Sequence, residues 1–313
     1  MALHALRRLT AGVVLAVMVT MITFFLLSTS FSNVASSIVG DSATPGRIQA
    51  QKTQMGLDRP VVVQYLDWLS HAVRGDLGAS YFTGEPVRSA IGDRLGVTLS
   101  VVLVALLLTA VLGVALGVLA ASRGGAVDRV AQGVSLIGHL APNLLIAVVL
   151  VSVLALKLHW FPATGYTPLG DSPARWAAAI TIPVAALTAA GVANLTSQVR
   201  GAMIDELRKD YVRTLRTRGI PPRSIVLRHA LRNAAGPALT VLSLEFVQMF
   251  GGALVIEQVF ALPGFGTYAF NASLQGDIPI IMGITLFGVL LVVGVNLVVD
   301  LANGWLNPKA RIH

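Results

Sequence analysis

Six stretches of predominantly apolar residues punctuate the chain: Leu9–Thr29, Val97–Ala121, Ala131–Leu156, Ala177–Val199, Gly236–Val259 and Ile280–Asn303. Each reaches the roughly 20 residues that a helix needs to cross a bilayer. The pattern therefore predicts an all-α integral membrane protein with six transmembrane helices. Three blocks follow: a tail and first span over 1–29, an outer segment over 30–96, and a five-helix core over 97–313.

The polar interruptions differ in kind. Between the fourth and fifth apolar stretches, residues 200–235 carry nine cations: Arg200, Arg208, Lys209, Arg213, Arg216, Arg218, Arg223, Arg228 and Arg232. Ile204, Leu207, Tyr211 and Leu215 recur every three or four positions, which predicts a helix with one apolar stripe and a basic opposite face. Gly219 suits the left-handed turn that ends such a helix, and Pro222 can open a second one with Val226, Leu227, Ala230, Leu231 and Ala234 on its apolar face. Two short amphipathic helices hinged at a glycine make a docking surface.

The outer segment also has helical periodicity. Asp58 can cap a helix with Pro60 in its first turn and Val62, Tyr65, Leu66, Leu69 and Val73 on one face. Pro86 can start another, with Val87, Ala90, Ile91 and Leu95 aligned, leading into the second span. The segment reads as an amphipathic cap at the membrane surface and as part of a landing site for an external partner.

Composition agrees with membrane residence. Hydrophobic residues make up 55% of the 313, charged residues 12%, and mean hydropathy is +0.74. The net charge of +8 follows topology rather than a nucleic-acid footprint. With the N-terminus inside, Arg7, Arg8, Arg123, Arg129, the nine loop cations, Lys309 and Arg311 are cytoplasmic. Most of the remaining cations fall in the outer segment, which is too long for the positive-inside bias to act on, so both termini are placed in the cytoplasm. Arg7-Arg8, the first apolar run and Ser28, Ser30 and Ser32 also fit a signal peptide; the length of the run favours an uncleaved helix. There are no cysteines, which removes disulfides, thiolate metal sites and a cysteine nucleophile.

Enzyme signatures are missing. The chain has no HExxH, no G-x-S-x-G and no metal-ligand spacing, and none of Lys52, Lys157, Lys209 and Lys309 follows a glycine as a phosphate-binding loop requires. ATP-driven work would need the nucleotide on another chain. Polar groups inside the spans are few. Glu245 lies deep in the fifth, where a carboxylate is costly and must face a cavity or a partner helix. It shares a helical face with Ala238, Leu242 and Met249, and Gly251 and Gly252 allow close backbone approach. His139 sits beside Pro142, which should kink the third span; hydrogen bonding or ligation are both open to it. Glu245, His139 and Asn194 are the candidates for a cavity or subunit interface, and Glu257 and Asp300 for salt bridges near the membrane boundaries. Gly113 and Gly117 form a small-xxx-small pair suited to helix packing.

At the basic loop the sequence resembles a family. Arg213-Thr214-Leu215 before Gly219, His229 and Leu231 after it, and Pro237 beyond match the EAA loop of ABC-importer permeases. Asp210-Tyr211-Val212-Arg213-Thr214 and Arg228-His229-Ala230-Leu231-Arg232-Asn233 resemble the wording of the B-type permeases of the dipeptide/oligopeptide/nickel group. So do Gly56-Leu57-Asp58-Arg59-Pro60, Gln64-Tyr65, Trp68, Arg74-Gly75-Asp76-Leu77-Gly78, Phe161-Pro162-Ala163-Thr164-Gly165-Tyr166, Glu257 with Val259-Phe260, and Pro263-Gly264-Phe265-Gly266. The resemblance covers Gly56 to Arg311. Departures are Leu215 and Thr217 where alanine is usual, Arg232 where proline is frequent, and Gly40-Asp41 in place of a Pro-Gly-Asp-Pro.

The resemblance implies a type I importer of the bacterial cytoplasmic membrane. Its partners would be a second, different permease, two cytoplasmic ATP-binding subunits that hold ATP and Mg, an extracytoplasmic substrate-binding protein, and membrane lipid, with no cofactor in this chain. The ATPase-coupling residues it implies are Asp210, Tyr211, Arg213, Thr214, Leu215, Arg216, Arg218, Gly219, His229, Leu231 and Pro237. Peptides are the group's commonest cargo, with nickel complexes or another small solute as alternatives. An ion-coupled secondary transporter would more often place several ionisable residues at mid-membrane.

Overall fold

The computed structural model describes residues 2–40 and 44–306. Asp41, Lys309 and Arg311 lie outside them. The described residues form helices α1 (Ala2–Ser28), α2 (Phe31–Val39), α3 (Pro45–Gln54), α4 (Val61–Val73), α5 (Val87–Arg123), α6 (Gly125–Leu140), α7 (Asn143–Leu150), α8 (Pro173–Leu207), α9 (Asp210–Thr217), α10 (Pro222–Ser224), α11 (Leu231–Phe260), α12 (Phe265–Gln275) and α13 (Ile278–Leu306). Two π-helical segments, Val151–Lys157 and Ile225–Ala230, continue α7 and α10. Among the described residues the only β pairing is a bridge between Ala79 and Pro86.

Five helical stretches are each long and apolar enough to cross a membrane: Arg7–Ser28, Val87–Arg123, Pro173–Leu207, Pro222–Phe260 and Ile278–Asn303. The third stretch of the sequence pattern is not one helix. It is the pair Gly125–Leu140 and Asn143–Lys157, bent by 100°. Pro142 lacks the N–H that would continue α6, and the residue before a proline disfavours helical geometry, so Ala141 turns extended (φ −82°, ψ 118°).

The chain divides into two compact units, Met1–Val97 with Pro263–Gly294, and Thr98–Leu262 with Val295–His313. In the first, Phe24, Phe31, Val34, Leu57, Tyr65, Ile278 and Met282 form a buried core. The Tyr65 hydroxyl donates to the Val17 carbonyl oxygen at 3.0 Å and lies 3.0 Å from the Thr20 hydroxyl, tying α4 to α1. This docking sets the roll of α4. Gln64 and Tyr65 are the residues it buries, while Val62, Leu66 and Val73 of the expected apolar stripe stay exposed. Pro60, not Asp58, occupies the N-cap of α4. Helix α5 buries Val87, Ala90 and Ile91 and runs without a break from Pro86 into the second span. Asp277, fully buried at the start of α13, accepts from the Ser80 hydroxyl at 2.5 Å and the Tyr81 N–H at 3.3 Å. Burial, then the nearby Asp277 carboxylate, hold the Tyr81 phenol above its ordinary pKa.

The second unit is organised around α8. Where α5 crosses it, a Cβ at Gly113 would fall 2.8 Å from the Leu195 Cβ, and one at Gly117 would fall 2.8 Å from the Val199 Cβ and 2.9 Å from the Thr196 carbonyl oxygen. Helix α6 approaches as closely, a Cβ at Gly138 falling 2.8 Å from the Ala193 Cβ. Gly191 of α8 itself faces Thr109 and Met249. Gly251 has no such neighbour and Gly252 has only ordinary van der Waals contact, so the close approach expected there is found elsewhere.

Gly117→Val adds bulk against a backbone carbonyl that cannot move aside, an overpacking cost of about 1–3 kcal/mol. Detergent-solubilised Gly117→Val should unfold at a clearly lower temperature than wild type, whereas Gly251→Val should not; equal midpoints for Gly117→Val and wild type would contradict the close crossing.

Candidate functional site

Helix α9 is a separate helix rather than a continuation of α8. The chain breaks at Arg208 and Lys209, and Lys209 takes extended geometry (φ −67°, ψ 150°) before α9 begins. The break resets the helical register. The expected stripe of Ile204, Leu207, Tyr211 and Leu215 is therefore only half-buried, and Met203, Glu206 and Val212 point inward instead.

Glu206 explains how α9 is held. The residue is 6% exposed at the end of α8, and its carboxylate accepts from three sources. The Tyr211 hydroxyl donates to Oε1 at 2.9 Å, Asn233 Nδ2 donates to Oε1 at 2.8 Å, and Lys209 Nζ donates to Oε2. Asn233 Nδ2 also lies 3.3 Å from the Tyr211 hydroxyl oxygen. One carboxylate thus joins the end of α8, the start of α9 and the start of α11. The Glu206 hydrogen bond holds the Lys209 ammonium above its ordinary pKa, and burial does the same for the Tyr211 phenol. Both shifts are upward, so the folded state binds these protons more tightly than the unfolded chain. Their contribution is complete at neutral pH and is lost as pH rises past about 10.

The end of α9 is fixed by backbone geometry. Gly219 has φ +74°, its N–H donates to the Arg216 carbonyl at 3.0 Å, and the Ile220 N–H donates to the Leu215 carbonyl at 3.2 Å. This is a Schellman cap with glycine in the left-handed position. Beyond it the second helix is not short. Pro222 opens a continuous helical run to Phe260 that includes Leu231 and Pro237. Its first turns are π-helical over Ile225–Ala230, and that wider turn shifts the register. Ile225, Ala230 and Ala234 are buried, His229 is half-buried, and Leu227 is left 58% exposed among the cations. Asp210, Arg213, Thr214, Arg216 and Arg218 are all exposed on α9 and its cap. The result is an exposed basic helix on a hydrogen-bonded base.

Farther along the same two long helices, a second polar cross-link joins the three residues that the sequence singled out for a cavity. Asn194 Nδ2 of α8 donates to Glu245 Oε1 of α11 at 2.8 Å, and His139 Nδ1 of α6 lies 2.7 Å from Asn194 Oδ1. The amide nitrogen must face the carboxylate, so its oxygen faces the imidazole and Nδ1 carries the proton. These residues border a cavity of about 630 Å³ between α6, α8 and α11. Arg200 also lines it, and its Nη2 donates to Asp128 Oδ2 at 2.7 Å, with a second contact from Nε to Oδ1. Arg200 is thereby part of the cavity wall rather than of the docking surface.

The Asn194–Glu245 and Glu206–Asn233 pairs have the same residue-number sum, as two antiparallel helices in one register require. That regularity appears only once the two helices are aligned, so no local sequence signal marks Glu206 and Asn233. Glu257, 1% exposed, accepts from the Thr98 hydroxyl, and Asp300 is half-buried on α13. Among the described residues no group of three or more His, Cys, Asp or Glu is placed to hold a metal ion.

Comparison with known proteins follows the same lines. Residues 113–312 match the family model described as "Binding-protein-dependent transport system inner membrane component", and residues 1–102 match its N-terminal counterpart. A probable peptide ABC transporter permease of Sinorhizobium fredii is 36% identical over 312 residues, covering 99% of this chain and 100% of the relative. A putative peptide transport system permease of Brucella abortus is 35% identical over 307 residues, covering 98% of each. The oligopeptide transport system permease AppB of Bacillus subtilis is 31% identical over 313 residues, covering 99% of each. Among solved structures, a chain of the MetNI methionine ABC transporter in inward facing conformations shares the fold, with TM-score 0.57 and 15% identity over 69% of this chain and 96% of that one.

The carboxylate that holds α9 is open to a direct test. Glu206→Ala removes three hydrogen bonds: those from Tyr211 and Asn233 are worth about 1.5–3 kcal/mol each, and the one from exposed Lys209 about 1 kcal/mol or less. Trypsin cleavage at Arg208, Lys209, Arg213 and Arg216 should accelerate by about tenfold or more, with cleavage elsewhere unchanged. An unaltered digestion pattern would mean that α9 is held by other contacts.

Proposed function

The chain belongs to the inner membrane components of binding-protein-dependent transport systems, and on that premise we propose that it is the permease subunit of an ATP-driven peptide importer. Membership makes it an integral membrane subunit that works with ATP-hydrolysing and substrate-binding partners. Peptide as cargo is supported by relatives of nearly full length that carry peptide-transport names. The short-loop cations support a bacterial cytoplasmic-membrane location with both termini inside.

The observation that carries the coupling is the basic helix α9 on its Glu206 base. We assign α9, its Gly219 cap and the turn after it to the cleft of a cytoplasmic ATPase. Two such ATPases hold ATP and Mg, one beneath this chain and one beneath a second permease of similar type. When the ATPases close, α9 is displaced, and the carboxylate joins that displacement to α8 and α11. Asn194 and Glu245 sit about 18 Å farther along those helices, at 1.5 Å rise per residue, so the cavity wall moves with α9. The extracytoplasmic binding protein delivers the peptide when the cavity opens outward. At about 630 Å³ the cavity falls in the usual size range of small-molecule sites, roughly 300–1,000 Å³.

Two outcomes check this reading. Proteoliposomes holding the assembled importer should take up peptide only with internal ATP and external binding protein, and uptake that needs neither would refute it. In the same vesicles Gly219→Val should impair coupling through its backbone alone, because nothing lies within 4 Å of where the new Cβ would sit. Holding a β-branched residue at φ +74° costs about 1–2 kcal/mol. Peptide-stimulated ATPase activity should fall roughly 5- to 30-fold with normal assembly; undiminished stimulation would rule out a coupling role for this cap.

A further inference from the structure

We infer that Glu245 is a subsite for a primary ammonium group of the transported solute, an assignment that rests on reading the α6–α8–α11 cavity as the peptide's path. The charge of the cavity wall favours a cation. Arg200 is the cation on the cavity wall, and it is neutralised by Asp128 through two contacts. Gln132, Ser135, Ser197, Gln198 and Gln248 of the remaining lining carry no charge. Among the described residues, Glu245 is then the acidic group on the wall that no arginine or lysine pairs with. It is 4% exposed and lies in a membrane-spanning helix, where an ionised carboxylate without a cation is costly.

The geometry around Glu245 favours an ammonium group. Asn194 is the hydrogen-bond partner of Glu245 among the described residues, and it engages Oε1 alone, leaving Oε2 for a ligand. His139 fixes the Asn194 amide from behind, so the carboxylate is held in one orientation before anything arrives. A primary ammonium supplies three donors and no acceptor. It can give one hydrogen to Oε2 and the others to the neutral oxygens of neighbouring hydroxyl and amide side chains. The reverse polarity is not provided for. A solute carboxylate would meet an arginine whose guanidinium is already occupied by Asp128. The site therefore selects the amino end, or a lysine side chain, and not the carboxyl end.

The cysteine-free sequence supplies a test that bypasses the selectivity of the binding protein. In the assembled importer, Ser197→Cys places the only thiol of this chain on the cavity wall, and its reaction with a maleimide is followed on this chain's band. Three probes are compared at saturating concentration: trialanine, N-acetyl-trialanine, and N-acetyl-Ala-Lys-Ala. Trialanine should slow labelling by about tenfold, equivalent to about 1.4 kcal/mol, and N-acetyl-trialanine should not. The lysine peptide separates the two ammonium sources, protecting only if a side-chain amine also fits. Protection should disappear in Ser197→Cys/Glu245→Gln. Equal protection by all three peptides, protection by none, or protection that survives Glu245→Gln would overturn the assignment. If the double variant fails to assemble, the acetylation contrast on the Glu245 background decides. Wild-type uptake that requires ATP and binding protein, alongside absent protection, would sink the subsite and leave the importer reading intact.

Discussion

The second unit depends on how closely backbones approach α8. Lipid tails are as apolar as leucine, so burial of apolar side chains does little to drive one transmembrane helix onto another; tight packing and interhelical hydrogen bonds must do it. Gly113, Gly117 and Gly138 remove the side chains that would hold α5 and α6 away from α8, and each leaves less than 3 Å for a Cβ. At that separation short polar side chains can reach across. Asn194 meets His139 on one side and Glu245 on the other, and Arg200 meets Asp128.

The polar contacts then do what apolar packing cannot, which is to fix register. Slipping α11 along α8 by one residue would break the Asn194–Glu245 and Glu206–Asn233 bonds together, leaving two mostly buried carboxylates without their amide donors. Each carboxylate raises the cost of any other arrangement because burying it unsatisfied is so unfavourable. The same economy shapes the base of α9, where one oxygen of Glu206 serves both the hydroxyl of Tyr211 and the amide of Asn233. A basic helix that would otherwise be repelled by its own charges is given a fixed base.

Much of this was legible in the sequence, because its causes are local or compositional. Span-length apolar runs gave five of the six expected spans as single helices, the Gly219 spacing gave the cap, Pro142 gave a break, and Gly113 with Gly117 gave a crossing. What escaped depends on tertiary register. The size of the bend at Pro142 is set by what α6 and α7 pack against. The inward positions of α9 follow from a two-residue break after Leu207 that periodicity spans without noticing, and the outward turn of Leu227 follows from a π segment that a 3.6-residue pattern cannot show. Helix α4 was rolled to bury Gln64 and Tyr65 by a single tyrosine hydroxyl reaching α1. Glu206 stands beside Asp205, Arg208 and Lys209 in the sequence, and only the antiparallel alignment of α8 with α11 identifies it as the residue that holds α9.

In the coupling proposed here, α9 and the cavity-lining stretch of α8 and α11 move as one body. Two nitroxide labels in this cysteine-free chain test it most directly, one at Arg216→Cys on α9 and one at Gln198→Cys on α8, with the spin–spin distance measured in the assembled complex. The distance distribution should be the same without nucleotide and with ATP trapped in the ATPases, while peptide access to the cavity changes between the two states. A shift of a helical turn or more between those states would show that α9 moves independently of the cavity wall, and would contradict the account.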